Sequence, residues 1–255
     1  MITSKTNPKI KKIRSLQERK FRNELGIFWA EGKNCVDAAL NSDWEIQEVA
    51  VSDDALSNFA GTIKAAEDKN CKIVEYSRDC FNKFSVLKHP EGIGAVVRKK
   101  ETKSRSEINN NSKKVVLFQL QSPGNMGSII RSAVAFGFND IFAVEPSVDF
   151  FHPMTVRATS GEIFSANLCF CSTGEIKSYL DERKEIVAVL TADGKNTISS
   201  EKNKSILVVG NEPHGLPEEI RNRYESFSIK MENNVESLNV NAAAAIALYE
   251  MRRKD

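Results

Sequence analysis

Features that would mark a metal site, a disulfide framework or a membrane segment are scarce in this 255-residue chain. Its five cysteines form no C-x-x-C pair, and its three histidines lack the spacing of metal ligands. No apolar run is long enough to span a membrane, and the basic amino-terminal stretch lacks the apolar core of a secretory signal. We therefore expect a cytoplasmic protein with reduced thiols and no metal ion.

The glycine pattern of a dinucleotide-binding turn, G-x-G-x-x-G, is also missing. The apolar run at 115–118 leads instead to Pro123-Gly124-Asn125-Met126-Gly127. This argues against a classical Rossmann site, so we consider a nucleotide-dependent enzyme of that kind the weakest candidate function.

Charge is nearly balanced over the chain, with a formal net charge of +2, but it is unevenly distributed. The first 22 residues contain eight basic residues and a single acidic one, Glu18. The basic residues are Lys5, Lys9, Lys11, Lys12, Arg14, Arg19, Lys20 and Arg22. Alone, such a stretch is typical of a solvated helix face, but it can also neutralise RNA phosphates.

A polar, charged stretch at residues 100–114 predicts a linker between two domains. Residues 1–99 contain short helical and strand patterns, with helices expected near 35–40 and 63–66 and strands near 46–51, 72–74 and 93–97. Residues 115–255 alternate apolar strands with helical stretches, which predicts an α/β domain around a parallel sheet. Its strands are expected at 115–120, 140–144, 186–191, 205–210 and 227–231.

Three polar segments in the second domain each follow an apolar strand. The first places Asn125 in a tight turn and Arg131 in the helix after it, and the second is the loop 210–215. The third is Ser237-Leu238-Asn239, which precedes an alanine-rich helix. Loops at the carboxyl ends of parallel strands are where α/β proteins bind ligands. We interpret His214, within the second segment, as a loop residue rather than a general base.

The third segment allows two interpretations. Serine and asparagine are among the best N-cap residues, so Ser237 or Asn239 could simply cap the helix that follows. A cap needs only one of them, and the neighbouring residues are unusually polar for a turn between two apolar elements. This favours a binding site at the helix start, in addition to the cap.

Together the three segments resemble the signature motifs of the SpoU (TrmH) family of RNA ribose 2'-O-methyltransferases, in the SPOUT superfamily. The matching residues are Asn125, Gly127 and Arg131 in the first motif, Gly210, Asn211, Glu212 and Gly215 in the second, and Ser237, Leu238 and Asn239 in the third. Residues 151–164 look like the segment between the first two motifs of this family.

The amino-terminal domain resembles the RNA substrate-binding domain attached to many SpoU members. Glu31-Gly32 and His89-Pro90-Glu91-Gly92-Ile93 carry this match, with Glu91 where relatives commonly have glutamine. The resemblance implies a substrate-binding domain at 1–99, a linker at 100–114 and a trefoil-knotted methyltransferase domain at 115–255. It also implies a homodimer, with Arg157 or another residue reaching across the interface.

The cofactor implied by the resemblance is S-adenosyl-L-methionine. Its expected contacts are Thr191, Gly210, Asn211, Ile229, Met231 and Leu238. The expected catalytic residues are Asn125, Arg131, Glu212, Ser237 and Asn239.

The predicted function is therefore 2'-O-methylation of a ribose in RNA, with ribosomal RNA favoured because of the separate amino-terminal domain. Two alternatives stay open: a transfer-RNA ribose methyltransferase, and a non-catalytic ribosome-assembly factor of the same fold that binds RNA.

Overall fold

The computed structural model describes residues 1–102, 107–108, 112–198, 204–211, 214–232 and 237–253. The chain separates into two units, of which the first is Met1–Glu101 with Asp149–Ser165 and the second is Thr102–Val148 with Ala166–Asp255. This differs from the division expected from the sequence, because residues 149–165 pack within the first unit although they follow a strand of the second.

The first unit is built on a four-stranded mixed sheet. In spatial order β1, β4, β2, β3, its strands are Ile27–Glu31, Ile93–Arg98, Ile46–Ser52 and Ile73–Tyr76. The β2 and β3 strands are parallel, and the other pairs are antiparallel. Its helices are α1 (Pro8–Ser15), α2 (Arg19–Leu25), α3 (Lys33–Leu40), α4 (Ala60–Asp68), α5 (Arg78–Phe81) and α7 (Pro153–Ala158).

Local sequence explains how α1 forms and packs. The side chain of Asn7 caps the helix by accepting a hydrogen bond from the Lys9 amide, and Pro8 occupies the first turn, where its missing N–H costs nothing. Ile10 and Ile13, three positions apart, are buried in the core of the first unit. The lysines between them therefore remain at the surface.

Residues 149–165 are held in the first unit by polar contacts that local sequence patterns do not reveal. Arg22 donates from Nε and Nη2 to Asp149 Oδ2, at 2.9 and 2.7 Å, and both side chains are buried. Arg157 Nη2 donates to Glu91 Oε1 at 2.7 Å, while the Lys33 amide donates to Glu91 Oε2 at 3.1 Å. The guanidinium of Arg157, which the resemblance suggested for a dimer contact, is thus engaged within its own chain.

The second unit contains a seven-stranded parallel sheet, as the alternating pattern predicted. In spatial order β7, β6, β5, β10, β8, β11, β9, its strands are Asn167–Cys171, Asp140–Val144, Lys114–Phe118, Ile206–Val209, Val187–Leu190, Ser226–Ser228 and Asn196–Thr197. Its helices are α6 (Pro123–Ala135), α8 (Thr173–Asp181), α9 (Glu218–Arg221) and α10 (Val240–Arg252). The central strands β5, β8 and β10 are almost uniformly apolar and buried, as strands covered on both faces must be.

Two expected boundaries in the second unit are wrong. Helix α6 already begins at Pro123, with Ser122 as its N-cap, so Asn125 lies in the first helical turn rather than in a preceding turn. Val134 and Phe136 are only partly buried, unlike Ile129, Ile130 and Ala133. Strand β11 ends at Ser228, so the residues from 229 to 231 belong to the loop after it. Among the described residues, no helix has the length and apolar character needed to cross a membrane.

Candidate functional site

The second unit contains a cavity of about 530 Å³ beside the carboxyl ends of β8, β10 and β11. Its walls come from the three segments that follow these strands and from the start of α10. Because the strands are parallel, their carboxyl ends lie at one edge of the sheet, where ligand sites form in α/β proteins. The cavity is therefore the principal candidate site in the described part of the second unit.

The cavity brings together most of the residues that the sequence nominated. All six expected cofactor contacts line it: Thr191, Gly210, Asn211, Ile229, Met231 and Leu238. Ser237 and Asn239 line it as well. Their roles stay predictions, but these residues, which come from three separated segments, line the same cavity.

The other three expected catalytic residues are not part of the described lining. Asn125 is linked to the start of α10, because Asn241 Nδ2 donates to Asn125 Oδ1 at 3.3 Å. Arg131 lies nearly two turns further along α6, is exposed, and forms no hydrogen bond or ion pair with any residue that the structure describes. Glu212 lies outside the described residues.

Two buried oxygen atoms indicate that the cavity suits a ligand with polar groups. Thr191 Oγ1 and Asn211 Oδ1 are both inaccessible to solvent and have no hydrogen-bond partner among the described residues. Leaving such an atom unpaired costs about 1–3 kcal/mol, which a bound hydrogen-bond donor would offset. The remaining wall is largely aliphatic, including Leu190, Val209 and Leu216. This combination fits S-adenosylmethionine, which has an adenosine part with polar edges, a positively charged sulfonium that bears the methyl group, and an amino-acid part with apolar methylene groups.

The loop after β10 folds back on itself at the cavity wall. The amide of Asn211 donates to the Gly215 carbonyl at 3.1 Å, and the amide of Gly215 donates to the Asn211 carbonyl at 2.9 Å. A Cβ atom on Gly210 would lie only 2.5 Å from the carbonyl carbon of Gly215. Glycine at 210 is therefore required by the close approach of the loop backbone.

Asn239 caps α10, which settles part of the question raised by the sequence. Its side chain accepts a hydrogen bond from the Asn241 amide at 2.9 Å, and its φ and ψ of −55° and 138° are not helical. Ser237 lies two residues earlier and makes no cap. Asn239 also lines the cavity, so one residue both starts the helix and faces the site.

Strand β11 is supported by a charged clamp on the outside of the second unit. Arg223, just before the strand, donates from Nε and Nη2 to the carboxylate of Asp181, and Tyr224 Oη donates to the same carboxylate at 2.9 Å. The hydrogen bonds from Arg223 lower the pKa of Asp181 to about 2. Asp181 is therefore ionised at neutral pH, and the clamp holds the segment that leads to the cavity.

Sequence patterns missed two charged residues of the cavity wall, Asp193 and Arg221. Neither belongs to a motif, and Arg221 is separated from Asp193 by the strand β10 and the loop after it. One available signal was the Asp193-Gly194 pair, which begins three residues after the end of β8, since such pairs mark turns.

Comparison with known protein families finds matches for both parts of the chain. The description "SpoU rRNA Methylase family" applies to residues 112–249, and "MRM3-like substrate binding domain" applies to residues 7–95. Among curated proteins, the 23S rRNA (guanosine(2553)-2'-O)-methyltransferase RlmP of Bacillus subtilis is 28% identical over 258 residues, covering 98% of each chain.

Solved structures agree with this chain over nearly its full length. An AdoMet-bound rRNA methyltransferase from Sinorhizobium meliloti has a TM-score of 0.84 and 27% identity, covering 98% of this chain and 96% of its own. A structure described as an RNA 2'-O ribose methyltransferase has a TM-score of 0.84 and 26% identity, with the same coverage.

Proposed function

Since this chain belongs to the SpoU rRNA methylase family and is an RNA ribose 2'-O-methyltransferase that uses S-adenosylmethionine, we propose that its substrate is ribosomal RNA and that the cofactor binds in the cavity of the second unit. The observation that carries the second proposal is the convergence of three motif segments on one cavity with two unpaired buried oxygens. The rRNA methyltransferases among its relatives support the first.

The proposed cofactor contacts divide by chemistry. Thr191 and Asn211 offer their unpaired oxygens to donors on the ligand, and the backbone at Gly210 permits close approach. Ile229, Met231 and Leu238 provide apolar surface. When bound, S-adenosylmethionine supplies a methyl group on a positively charged sulfur. The protein must exclude water there and position the 2'-hydroxyl of the ribose.

We assign Arg131 an electrostatic role. A guanidinium stays protonated at neutral pH and is a poor general base, but it binds phosphate well. Its lack of a partner among the described residues leaves it available to hold the phosphate beside the target ribose. From there it would stabilise the negative charge that develops on the 2'-oxygen.

The other four catalytic proposals concern positioning. Asn125 and Asn239 lie at the starts of α6 and α10, and Asn241 links them by its hydrogen bond to Asn125 and by the cap of Asn239. Ser237 contacts either RNA or cofactor, and Glu212 orients neighbouring groups.

The proposed function is tested by two measurements on the full chain. Calorimetry should detect binding of S-adenosylmethionine, and 2'-O-methyl mapping should find one ribosomal RNA position that is unmodified in cells lacking the protein and restored with it. Loss of a transfer-RNA position instead would support the transfer-RNA alternative. RNA binding without cofactor binding would support the assembly factor.

Substitution of Asn239 separates its two roles. Asn239→Ala should lower the free energy of unfolding by about 1 kcal/mol, because the cap of α10 is lost. Asn239→Asp keeps a capping oxygen and should preserve stability, but it replaces the side-chain amide donor of a cavity-lining residue with a carboxylate. We expect both variants to lose methyl-transfer activity, measured with radiolabelled cofactor. Full activity in Asn239→Asp would show that Asn239 is only a cap.

We propose that the basic stretch of the first unit contacts RNA through those of its cations that are not paired with carboxylates. Lys5, Lys9 and Arg22 pair with carboxylates of their own unit. Lys11, Lys12 and Arg14 are exposed, and no ion pair joins any of them to another described residue. These three α1 cations are the better candidates for phosphate contacts.

Replacing Lys11, Lys12 and Arg14 together with alanine should weaken RNA binding and its salt dependence. Each lost phosphate contact reduces the slope of log K against log salt by about 0.7–0.9. Filter binding between 50 and 200 mM salt measures this slope, with Lys64→Ala, in α4 of the same unit, as the control. An unchanged slope would exclude α1 from the RNA interface.

We also propose a homodimer, a trefoil knot and a cytoplasmic location, where ribosomal RNA is found. Helices α6 and α10 pack together and expose Ile246 and Tyr249, the latter in edge contact with Phe136. Such apolar exposure supports an interface on this helix pair. A monomer in sedimentation at working concentration would contradict the dimer. An experimental structure whose backbone contains no knot would contradict the trefoil knot.

A further inference from the structure

Asp193 and Arg221 form a charged pair on the cavity wall that no motif includes. Among the described lining residues, Asp193 is the sole carboxylate and Arg221 the sole guanidinium. Arg221 Nη1 lies 3.4 Å from Asp193 Oδ2, which is a long single contact rather than a two-pronged one. The side chain of Asp193 is 67% exposed, so its carboxylate retains accepting capacity that Arg221 does not use.

The backbone that carries Asp193 is fixed against β11. The Thr191 amide donates to the Phe227 carbonyl at 2.9 Å, and Ser228 Oγ donates to the Gly194 carbonyl at 3.1 Å. A Cβ atom on Gly194 would overlap the backbone of Phe227, so the turn lies directly on the strand. Asp193 is therefore presented from a rigid turn, as a ligand-positioning residue should be.

The chemistry of the pair favours hydroxyl groups as its ligand. A carboxylate has two oxygens that accept hydrogen bonds, which matches the two neighbouring hydroxyls of a ribose, and acidic residues bind ribose in this way in dinucleotide sites. Arg221 already neutralises the carboxylate, so the pair offers little net charge to attract an ammonium group. Neutral hydroxyl donors need no such net charge.

We infer that Asp193 accepts hydrogen bonds from the ribose hydroxyls of the cofactor's own adenosine part, with Arg221 holding the carboxylate in place. The assignment rests on the proposed binding of the cofactor in this cavity. It adds a specificity-determining residue for the nucleoside, distinct from the motif residues that line the rest of the wall.

The test measures whether removing a ligand hydroxyl and removing the Asp193 carboxylate have coupled effects on binding affinity. Calorimetry would compare 5'-methylthioadenosine with its 2'-deoxy and 3'-deoxy forms, on the wild-type chain and on Asp193→Ala and Asp193→Asn. A hydrogen bond to a charged group contributes about 1.5–3 kcal/mol, so the wild type should lose about tenfold or more in affinity with at least one deoxy ligand. In Asp193→Ala, the affinities for methylthioadenosine and its deoxy forms should differ by no more than about twofold, because the carboxylate that would accept the hydrogen bond is absent.

Matched controls distinguish this result from a general change in the loop. Glu218→Gln removes an exposed carboxylate from the first turn of α9, outside the cavity wall, and should retain the wild-type pattern. Asp193→Asn keeps the side-chain volume, so it reports on the carboxylate if the alanine variant unfolds. Thermal unfolding of each variant verifies its fold.

The remaining outcomes overturn the assignment in separable ways. If the deoxy ligands lose the same affinity in the wild type and in the Asp193 variants, Asp193 does not bind the ribose hydroxyls. If the variants bind methylthioadenosine normally but lose affinity for S-adenosylhomocysteine, Asp193 contacts the amino-acid part instead. If the wild-type chain binds S-adenosylmethionine and Ala243→Trp on the cavity wall does not weaken it, the cofactor lies elsewhere and the proposed site itself fails.

Discussion

Arg131→Ala is expected to lower the rate of methyl transfer by about 10²–10³-fold, the range seen when one preorganised stabilising donor is removed. The affinity for S-adenosylmethionine should stay unchanged, because Arg131 does not line the cavity. Stability should also be nearly unchanged, because the side chain is exposed and has no partner among the described residues. Single-turnover assays with saturating cofactor measure the rate.

Arg131→Lys tests whether the planar guanidinium matters or only its charge. We expect an intermediate rate, because lysine retains the positive charge but cannot bind phosphate in the two-pronged geometry. Arg98→Ala is the control, since it removes an exposed guanidinium from the first unit, where Arg98 pairs with Glu45. Full activity of Arg131→Ala would exclude Arg131 from catalysis.

Asp149→Ala is expected to destabilise the first unit by about 3–5 kcal/mol, because it leaves the charge of Arg22 buried without its partner. Arg22 is 1% exposed, and among the described residues its Nη1 donates only to the carbonyls of Leu16 and Gln17, which do not neutralise it. Denaturant unfolding, followed for the transition of the first unit, measures the loss.

Two controls interpret the Asp149 result. Asp68→Ala removes a carboxylate from the exposed pair with Lys64 and should change stability by less than about 1 kcal/mol. Arg22→Met combined with Asp149→Leu removes both buried charges, so it should cost less than Asp149→Ala alone. A larger loss in the double variant would show that packing around the pair, rather than the unpaired charge, determines the stability.

The buried pair also explains why residues 149–165 pack within the first unit, whereas the sequence predicted them as part of the second domain. From the sequence, they simply continue the alternation of strands and helices in the second domain. Their attachment depends on Arg22, 127 positions away, and on an aromatic cluster in which Phe151 and Phe164 contact Phe28. Periodicity within a segment reports whether it is helical or extended, not which distant surface it packs against.

The family resemblance inferred from three motifs is confirmed by the family match, and the parallel α/β sheet is confirmed by the strand pairing. The first two polar segments were recognisable because each follows an apolar run that forms a buried strand, β5 or β10. Asn239 shows the limit of this reasoning. Its residue type predicted a cap, but only the fold shows that the capping residue also lines the cavity.

By itself, the sequence determined the strand-forming runs, the loops after them and the residue types that those loops carry, since these depend on local alternation and turn chemistry. Tertiary structure alone decided that Asn241 bonds Asn125 across 116 positions, that Arg131 stays exposed, and that Asp193 faces Arg221. The reason is strand order. Because β10 lies between β5 and β8, the loops that follow these strands are neighbours at the carboxyl-terminal edge of the sheet, and that order arises from packing the whole sheet.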